Sequence, residues 1–289
     1  MQDIISFGQP DQTWSKYGLA EYPISVNSGK SDKKAIIKDG HLVTIVSDKY
    51  VLLPHEEALI QADTIAKEAG LIPFDQFSGL HLKMHGGKGH TVVFGPQNAR
   101  FNAMYAIEKE YTVNGEQMWV GINIQNSIDG SKAFGAGIFS FRSACKNMSL
   151  VAAATQSGWK LHIAKQQTIE TISKRHTKGI NPQTFKLKLV ISQIMSKATG
   201  LIDAYEQMAT QKATEELLLS LGNSRLSKNV LPDYITEETV QAPEDLTVWE
   251  TYNDITAQIW HNTKSDMTSK TFQFNTLHQI IPPLMVRAA

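Results

Sequence analysis

The stretch that decides the fold is RFNAMYAIEKEYTVNGEQMWVGINIQNSIDGSKAFGAGIFSFR, residues 100–142. It contains three runs in which apolar side chains alternate with polar or small ones, as they do along β-strands. Two turn signals, Asn114-Gly115 and Asp129-Gly130, separate the runs, and such pairs between strand-like segments are typical of hairpins. The stretch therefore predicts an antiparallel β-meander.

Upstream, the sequence predicts a further hairpin and a loosely ordered start. Two apolar runs, Ala35–Ile37 and His41–Ile45, flank Asp39-Gly40 and give the same hairpin signal. Residues 1–30 are polar and interrupted by glycine and proline. We therefore expect an arm there, with a short strand at Ile24–Val26.

Three helices are predicted from apolar residues that recur every three or four positions. The first spans residues 55–70 and the third spans residues 246–262. The second is one long helix over residues 183–221, roughly 55 Å in length, either straight or bent near Gly200. Residues 150–154 are expected to form a helix or a short connection, and the tail around Pro282-Pro283 a loop or a closing strand.

The expected architecture is α+β, with a central antiparallel β-meander packed against the long α-helix 183–221 and a C-terminal helical element. Three regions follow along the chain. Residues 1–54 form the N-terminal arm and hairpin, residues 55–222 form the core α+β domain, and residues 223–289 form an acidic linker with the C-terminal helix and tail.

The composition predicts a soluble, intracellular protein. Hydrophobic residues make up 42% of the 289 residues and charged residues 19%, which suits a large buried core. No apolar run is long enough to cross a membrane, and the first residues lack the features of a secretory signal. The single cysteine, Cys145, fits a reducing compartment. We therefore expect a cytoplasmic location and no membrane partner.

The net charge is zero, but the charges are unevenly distributed. Residues 81–180 hold 12 basic and 5 acidic side chains, whereas residues 201–270 hold 5 basic and 12 acidic ones. A basic middle between acidic flanks favours a polyanion as the partner of the middle. The alternative is that the fold neutralises itself, with the basic middle against the acidic ends and nothing bound.

The sequence contains neither a phosphate-binding loop nor a dinucleotide fingerprint, and one cysteine excludes a thiolate-rich zinc site. His81, His85 and His90 cluster on one predicted hairpin. Because no carboxylate lies within that hairpin, we expect ordinary histidines there rather than metal ligands. Asp129, close to Asn126, fits a plain turn better than a cation site. The sequence thus predicts no enzyme, no metal and no cofactor.

Basic residues are interleaved with aromatic ones in the central region, as binding of a nucleic-acid single strand requires. Cations neutralise phosphates, while rings stack on bases for about 1–3 kcal/mol each. The alternative is that most of these rings belong to the core, as aromatic side chains in strands usually do. The candidate nucleic-acid-binding residues are Lys83, Lys88, Arg100, Lys132, Arg142, Lys146, Lys160, Arg175, Lys178, Phe139, Phe141 and Trp159.

Four segments together carry a resemblance to a known family. They are Asn126-Ser127-Ile128-Asp129-Gly130, Arg142-Ser143-Ala144-Cys145-Lys146-Asn147-Met148, Arg175-His176-Thr177 and Trp249–Thr256. In order and spacing, over about residues 55–262, the chain resembles the uncharacterised phage/plasmid-like proteins. It departs from their pattern at Lys146-Asn147, where the family tends to have a polar residue, then asparagine and glycine. The resemblance implies a setting in phages, plasmids and integrated elements, and it supplies no catalytic residues.

The leading hypothesis is a non-enzymatic protein that binds or anneals single-stranded DNA during recombination of a mobile element, as a homo-oligomer in the cytoplasm of the host cell. Its acidic C-terminal third would screen the DNA groove or contact a protein partner. The second hypothesis is a protein-binding anti-defence or structural protein of the element, without nucleic-acid binding. The third, an enzyme, needs carboxylates such as Glu108, Glu110, Glu116 and Asp129 to meet in space.

Overall fold

The three-dimensional structure is a computed structural model. It describes residues 5–27, 29–74, 92–94, 98–131, 134–142, 147–151, 160–163, 167–170, 172–174, 200–235, 243–261, 265 and 267–287. These residues form an α+β fold with antiparallel sheets and helices packed against them, which confirms the predicted fold class.

The strands are β1 (Ile5–Phe7), β2 (Leu19–Val26), β3 (Gly29–Lys38), β4 (His41–Ser47), β5 (Leu71–Pro73), β6 (Val92–Phe94), β7 (Arg100–Val113), β8 (Glu116–Ser127), β9 (Phe134–Arg142), β10 (Asn147–Val151), β11 (Lys160–Ile163), β12 (Gln167–Glu170) and β13 (Ile172–Lys174). The helices are α1 (His55–Glu68), α2 (residues 200–210), α3 (Glu215–Gly222), α4 (Val248–His261) and α5 (Met267–Arg287).

The central sheet is built on the predicted meander of β7, β8 and β9. Asn114 and Gly115 close the first hairpin with φ angles of 48° and 77°, the positive values that a tight two-residue hairpin turn requires. Two short strands line each outer side of the meander, β10 and β13 along β9, and β5 and β6 along β7. The meander prediction is confirmed.

The N-terminal sheet has the strand order β1-β2-β3-β4. Asp39 and Gly40 close its β3–β4 hairpin with φ angles of 50° and 82°, which confirms the second predicted hairpin. The predicted short strand at Ile24–Val26 is confirmed as the end of β2, but the prediction of a loose arm is wrong for the rest of that strand, because all eight of its residues belong to the sheet. One side of the sheet packs on a small core made of Leu19, Ile36, Leu52, Ala99 and Ile128.

A larger core lies between the central sheet and the helices. α1 contributes Ala58, Ala62 and Ala66, small side chains that allow its backbone to approach the sheet closely. α4 contributes its predicted apolar face, because Trp249, Tyr252, Ile255, Ile259 and Trp260 are all buried. The predicted helices at 55–70 and 246–262 are therefore confirmed.

The predicted long helix 183–221 is wrong over its described part. Residues 200–210 are helical, but Lys212 forms an antiparallel bridge with Thr247, and Ala213 N–H donates to Leu246 O at 2.8 Å. Thr214 then starts α3 as its N-cap. The apolar spacing continues across this break, so periodicity alone does not reveal it. Residues 183–199 lie outside the described part of the chain.

Two other predictions along the chain are corrected. The tail is not a loop or a strand, because α5 runs from Met267 through both prolines to Arg287. Phe274, Leu277 and Ile281 are fully buried along one face of α5, and this packing holds the tail as a helix. The start of the segment 150–154 belongs to β10 rather than to a helix.

Candidate functional site

Phe139 and Phe141 lie in the core. Their exposed fractions are 0% and 1%, and both rings meet the ring of Phe74 edge-on, with centroids 5.3 Å and 5.7 Å apart. Stacking on a base needs an accessible ring face. The prediction that these two rings stack on DNA is therefore wrong. The physical reason is that both faces of β9 are covered, since every residue of it except Arg142 is buried.

The two candidate arginines whose side chains are described are each paired with a carboxylate. Arg100 Nε donates to Asp129 Oδ2 at 3.0 Å, and Arg142 pairs with Glu116 and lies 6.0 Å from the centre of the Trp249 ring. These contacts neutralise both guanidinium charges within the protein. Arg100 and Arg142 lie against β8 residues nine positions apart, which places them roughly 30 Å from each other.

The remaining candidates are not brought together by the described part of the chain. Lys160 begins β11, where its backbone is in register with Glu170 of β12. The others lie outside the described residues, and they are Lys83, Lys88, Lys132, Lys146, Trp159, Arg175 and Lys178.

The turn at Asp129 is held by contacts within the protein. Its Oδ1 accepts from the Ser131 N–H at 2.9 Å, while Asn126 turns towards α1 and donates to Leu53 O at 2.9 Å. Burial raises the pKa of Asp129, but hydrogen bonds from Ser131 and Arg100 outweigh it and leave that pKa below its usual value. This geometry fits the plain turn better than a cation site.

The carboxylates of the enzyme hypothesis do not converge. Glu108 and Glu110 are exposed on β7, whereas Glu116 pairs with Arg142. Within the described ranges, no three His, Cys, Asp or Glu side chains come together as potential metal ligands.

The surface that the sequence did not reveal is an apolar face of the N-terminal sheet, here called the outer face. It carries Ile5, Phe7, Val26, Leu42 and Ile45, with exposed fractions of 60%, 54%, 37%, 55% and 50%. These are five of the seven large hydrophobic side chains that are exposed among the described residues. Their grouping is therefore a property of this sheet rather than a general feature of the surface.

The strand register places these side chains on one face. Ile5 is paired with Val26, and the ring of Phe7 meets that of Tyr22 edge-on at 6.2 Å. Ile45 and Leu42 stand opposite Ala35 and Ile37 of β3. The opposite face holds Leu19 and Ile36 and packs on the small core. The alternation along HLVTIVS could indicate a strand, but not which of its faces meets solvent.

β4 lies at one edge of the N-terminal sheet as described. Its sequence, HLVTIVS, contains no lysine, arginine, acidic residue or proline. Such residues commonly protect edge strands against pairing with another chain. The outer face and this unprotected edge are therefore adjacent features of one surface.

Comparison with protein-family profiles, with curated proteins and with solved structures finds no match to this chain. Of the helices in the described ranges, none combines the length and the apolar character needed to cross a membrane.

Proposed function

We propose that the protein is a non-enzymatic binding protein that acts as a homo-oligomer, in which a second copy covers the outer face. The observation that carries this proposal is the concentration of five large, exposed apolar side chains on one sheet face. Contiguous exposed apolar surface is typical of protein–protein contact sites.

The size of the outer face supports a second copy as its occupant. Large side chains bury roughly 150–200 Å² each, so five that are about half exposed offer about 400–500 Å² of apolar surface. A stable interface buries about 800 Å² per partner, and about 65% of it is apolar in homodimers. The outer face thus provides about the apolar area that a dimer requires. Two copies of one apolar face also complement each other under two-fold symmetry.

The test is the molar mass of the full chain in solution, measured by light scattering from about 1 to about 100 µM, the range in which moderate affinities appear. We expect a dimer that the double variant Leu42→Ser, Ile45→Ser converts to a monomer. Ile60→Ser is the matched control, because Ile60 is 58% exposed on α1, away from the outer face. A monomeric wild type, or an oligomer that survives the double variant, would overturn the proposal.

Single-stranded DNA is the second candidate partner, and the uneven charge distribution favours it. Residues 81–180 hold 12 basic and 5 acidic side chains, and all six candidate lysines lie there. Phe139 and Phe141 are buried, and Arg100 and Arg142 are paired with carboxylates, so these four residues are removed from the candidate DNA-binding set. Binding would then rest mainly on the neutralisation of phosphates by the remaining basic residues. A role in a phage or plasmid is compatible with both candidate partners, a second copy of the chain and single-stranded DNA. That role stays a prediction.

A labelled oligo-thymidine, titrated with protein at about 50 and about 200 mM salt, tests this candidate. We expect fluorescence anisotropy to show binding that weakens steeply with salt, and that weakens further in Lys132→Ala, Lys146→Ala. Lys49→Ala, which removes an exposed lysine from the N-terminal region, should bind as wild type does. Absence of binding at the lower salt concentration would exclude this candidate.

A further inference from the structure

The central sheet carries a group of buried amides on the face that also holds Phe139. We call Asn102, Asn123 and Gln125 the carboxamide cluster. Asn102 of β7 is in register with Gln125 of β8, and Asn123 lies two positions away on the same face. Their exposed fractions are 8%, 1% and 3%. These three polar side chains are therefore buried together on one face of the sheet.

The cluster satisfies only part of its own hydrogen-bonding capacity. Asn123 Nδ2 donates to Asn102 Oδ1 at 3.2 Å. Asn123 Oδ1 and Gln125 Nε2 are buried, and within the described part of the chain neither has a hydrogen-bond partner. A buried polar atom left in this state costs about 1–3 kcal/mol. A bound group with one hydrogen-bond donor and one acceptor would form hydrogen bonds with both atoms and remove this free-energy cost.

The neighbouring strand places no side chain opposite these two atoms. The register partners of Asn123 and Gln125 on β9 are Gly137 and Gly135. Two residues before Asn123 on the same face of β8, Gly121 is covered by the ring of Phe139. A Cβ at Gly121 would lie 2.5 Å from that ring. Asn123 and Gln125, which carry the two unpaired amide atoms, thus lie beside a glycine strip that is bounded by an aromatic ring.

We propose that the carboxamide cluster binds a small, planar, neutral molecule that presents an N–H donor beside an acceptor. Asn123 Oδ1 would accept from the donor, and Gln125 Nε2 would donate to the acceptor. Adenine has this arrangement on its edge, and asparagine and glutamine pair with that edge in other settings. A primary carboxamide such as that of nicotinamide has the same chemistry. This inference does not depend on the oligomer or on DNA binding.

The experiment uses the full-length protein with adenine and nicotinamide as separate probes. At about ten times Kd, the matching probe should raise the Tm by roughly 3–6 °C. Gln125→Met should abolish the shift. Gln117→Met, the same substitution at an exposed position of the same strand, should retain it. If Gln125→Met does not fold, Gln125→Glu replaces the donor with an acceptor at similar size and should also lose the shift.

A second measurement needs no variant. Protein purified from cells is denatured, and the released small molecules are identified by mass spectrometry. A stoichiometric planar amide or purine would support the proposal. If no compound is released and neither probe shifts the Tm, the two atoms are satisfied by an ordered water only, and the proposal is overturned. A shift that persists in the folded Gln125 variants would overturn it as well.

Discussion

A chain of four buried polar side chains connects the central sheet to α5. Ser140 Oγ lies 2.7 Å from Tyr205 OH, which lies 3.2 Å from Tyr252 OH, and Tyr252 OH lies 2.9 Å from His278 Nε2. The four residues belong to β9, α2, α4 and α5. Because each hydroxyl can donate and accept, the chain ties one sheet and three helices through a single network.

His278 makes this network sensitive to acid. Burial lowers the pKa of His278 to about 4, whereas an unfolded histidine titrates near its ordinary value of 6.5. Between these two pH values the unfolded chain binds more protons, so the free energy of unfolding falls as the pH drops from 6.5 towards 4. The loss approaches about 3 kcal/mol at the lower limit.

Urea denaturation at several pH values between about 7.5 and about 4.5 measures this loss. His278→Gln should flatten the acid slope relative to wild type, because the carboxylates contribute equally to both proteins. His41→Gln, at an exposed histidine of β4, should keep the wild-type slope. Identical slopes for wild type and His278→Gln would contradict the prediction.

At the scale of elements, the break between α2 and α3 shows how a distant segment ends a helix. Val248 N–H donates to Gln211 O at 2.9 Å, and Lys212 forms a bridge with Thr247. The extended backbone around Lys212 therefore pairs with a segment more than thirty residues away, instead of continuing the helix. Thr214 then restarts the helix by accepting from Leu217 N–H at 3.2 Å.

Thr214→Ala should lower the free energy of unfolding by about 1 kcal/mol, since an N-cap threonine satisfies a backbone N–H that alanine leaves free. Urea denaturation measures the change. Thr210→Ala, at the exposed end of α2, is the matched control and should change stability by less than about 0.5 kcal/mol. Equal effects of the two substitutions would argue against the capping role.

Element prediction from the sequence succeeds where local chemistry decides the structure. Asp39-Gly40 and Asn114-Gly115 fix their hairpins because both turn residues adopt positive φ. Prediction fails where residues distant in sequence determine the local structure. At Lys212 the bridge with Thr247 interrupts the helix that the apolar spacing predicts. Prediction also fails at Pro282-Pro283, where the packing of α5 overrides the helix-breaking tendency of proline.

At the scale of the whole molecule, the described chain contains two hydrophobic cores of unequal size. The small core under the N-terminal sheet includes Ala99 and Ile128, which adjoin the ends of β7 and β8. The large core lies between the central sheet and the helices. The N-terminal sheet thus rests on one end of the central hairpin, and its stability depends on few side chains.

Ile36→Ala should therefore accelerate amide hydrogen exchange in β2, β3 and β4 while exchange in β8 and β9 stays near its wild-type rate. Ile36 is 0% exposed, and such a truncation costs about 2–5 kcal/mol. Ile122→Ala, in the large core, should accelerate exchange in β8 and β9. Mass-spectrometric hydrogen exchange resolves the two regions. Equal acceleration of both sheets by Ile36→Ala would show that they unfold as one unit.

The candidate binding surface was less predictable than the fold, because residue types do not reveal their partners. Arg100 and Arg142 match a phosphate-binding pattern in the sequence, yet their carboxylate partners lie 29 and 26 positions away. Phe139 and Phe141 match a stacking pattern, yet Phe74 covers them. The outer face could be found only after the sheet showed which side of β4 meets solvent.

The contact of Phe139 with Gly121 has an evolutionary consequence. Any side chain at Gly121 would collide with the ring and with the carbonyl oxygen of Tyr105, so Gly121 cannot be replaced while Phe139 keeps its ring and β7 keeps its backbone position. Homologues should therefore keep a glycine on the middle strand wherever they keep a large aromatic at the paired position of the next strand. This coupled pair, combined with the Asn-Gly turn before it, is a signature by which remote members of the lineage could be recognised after overall identity has faded.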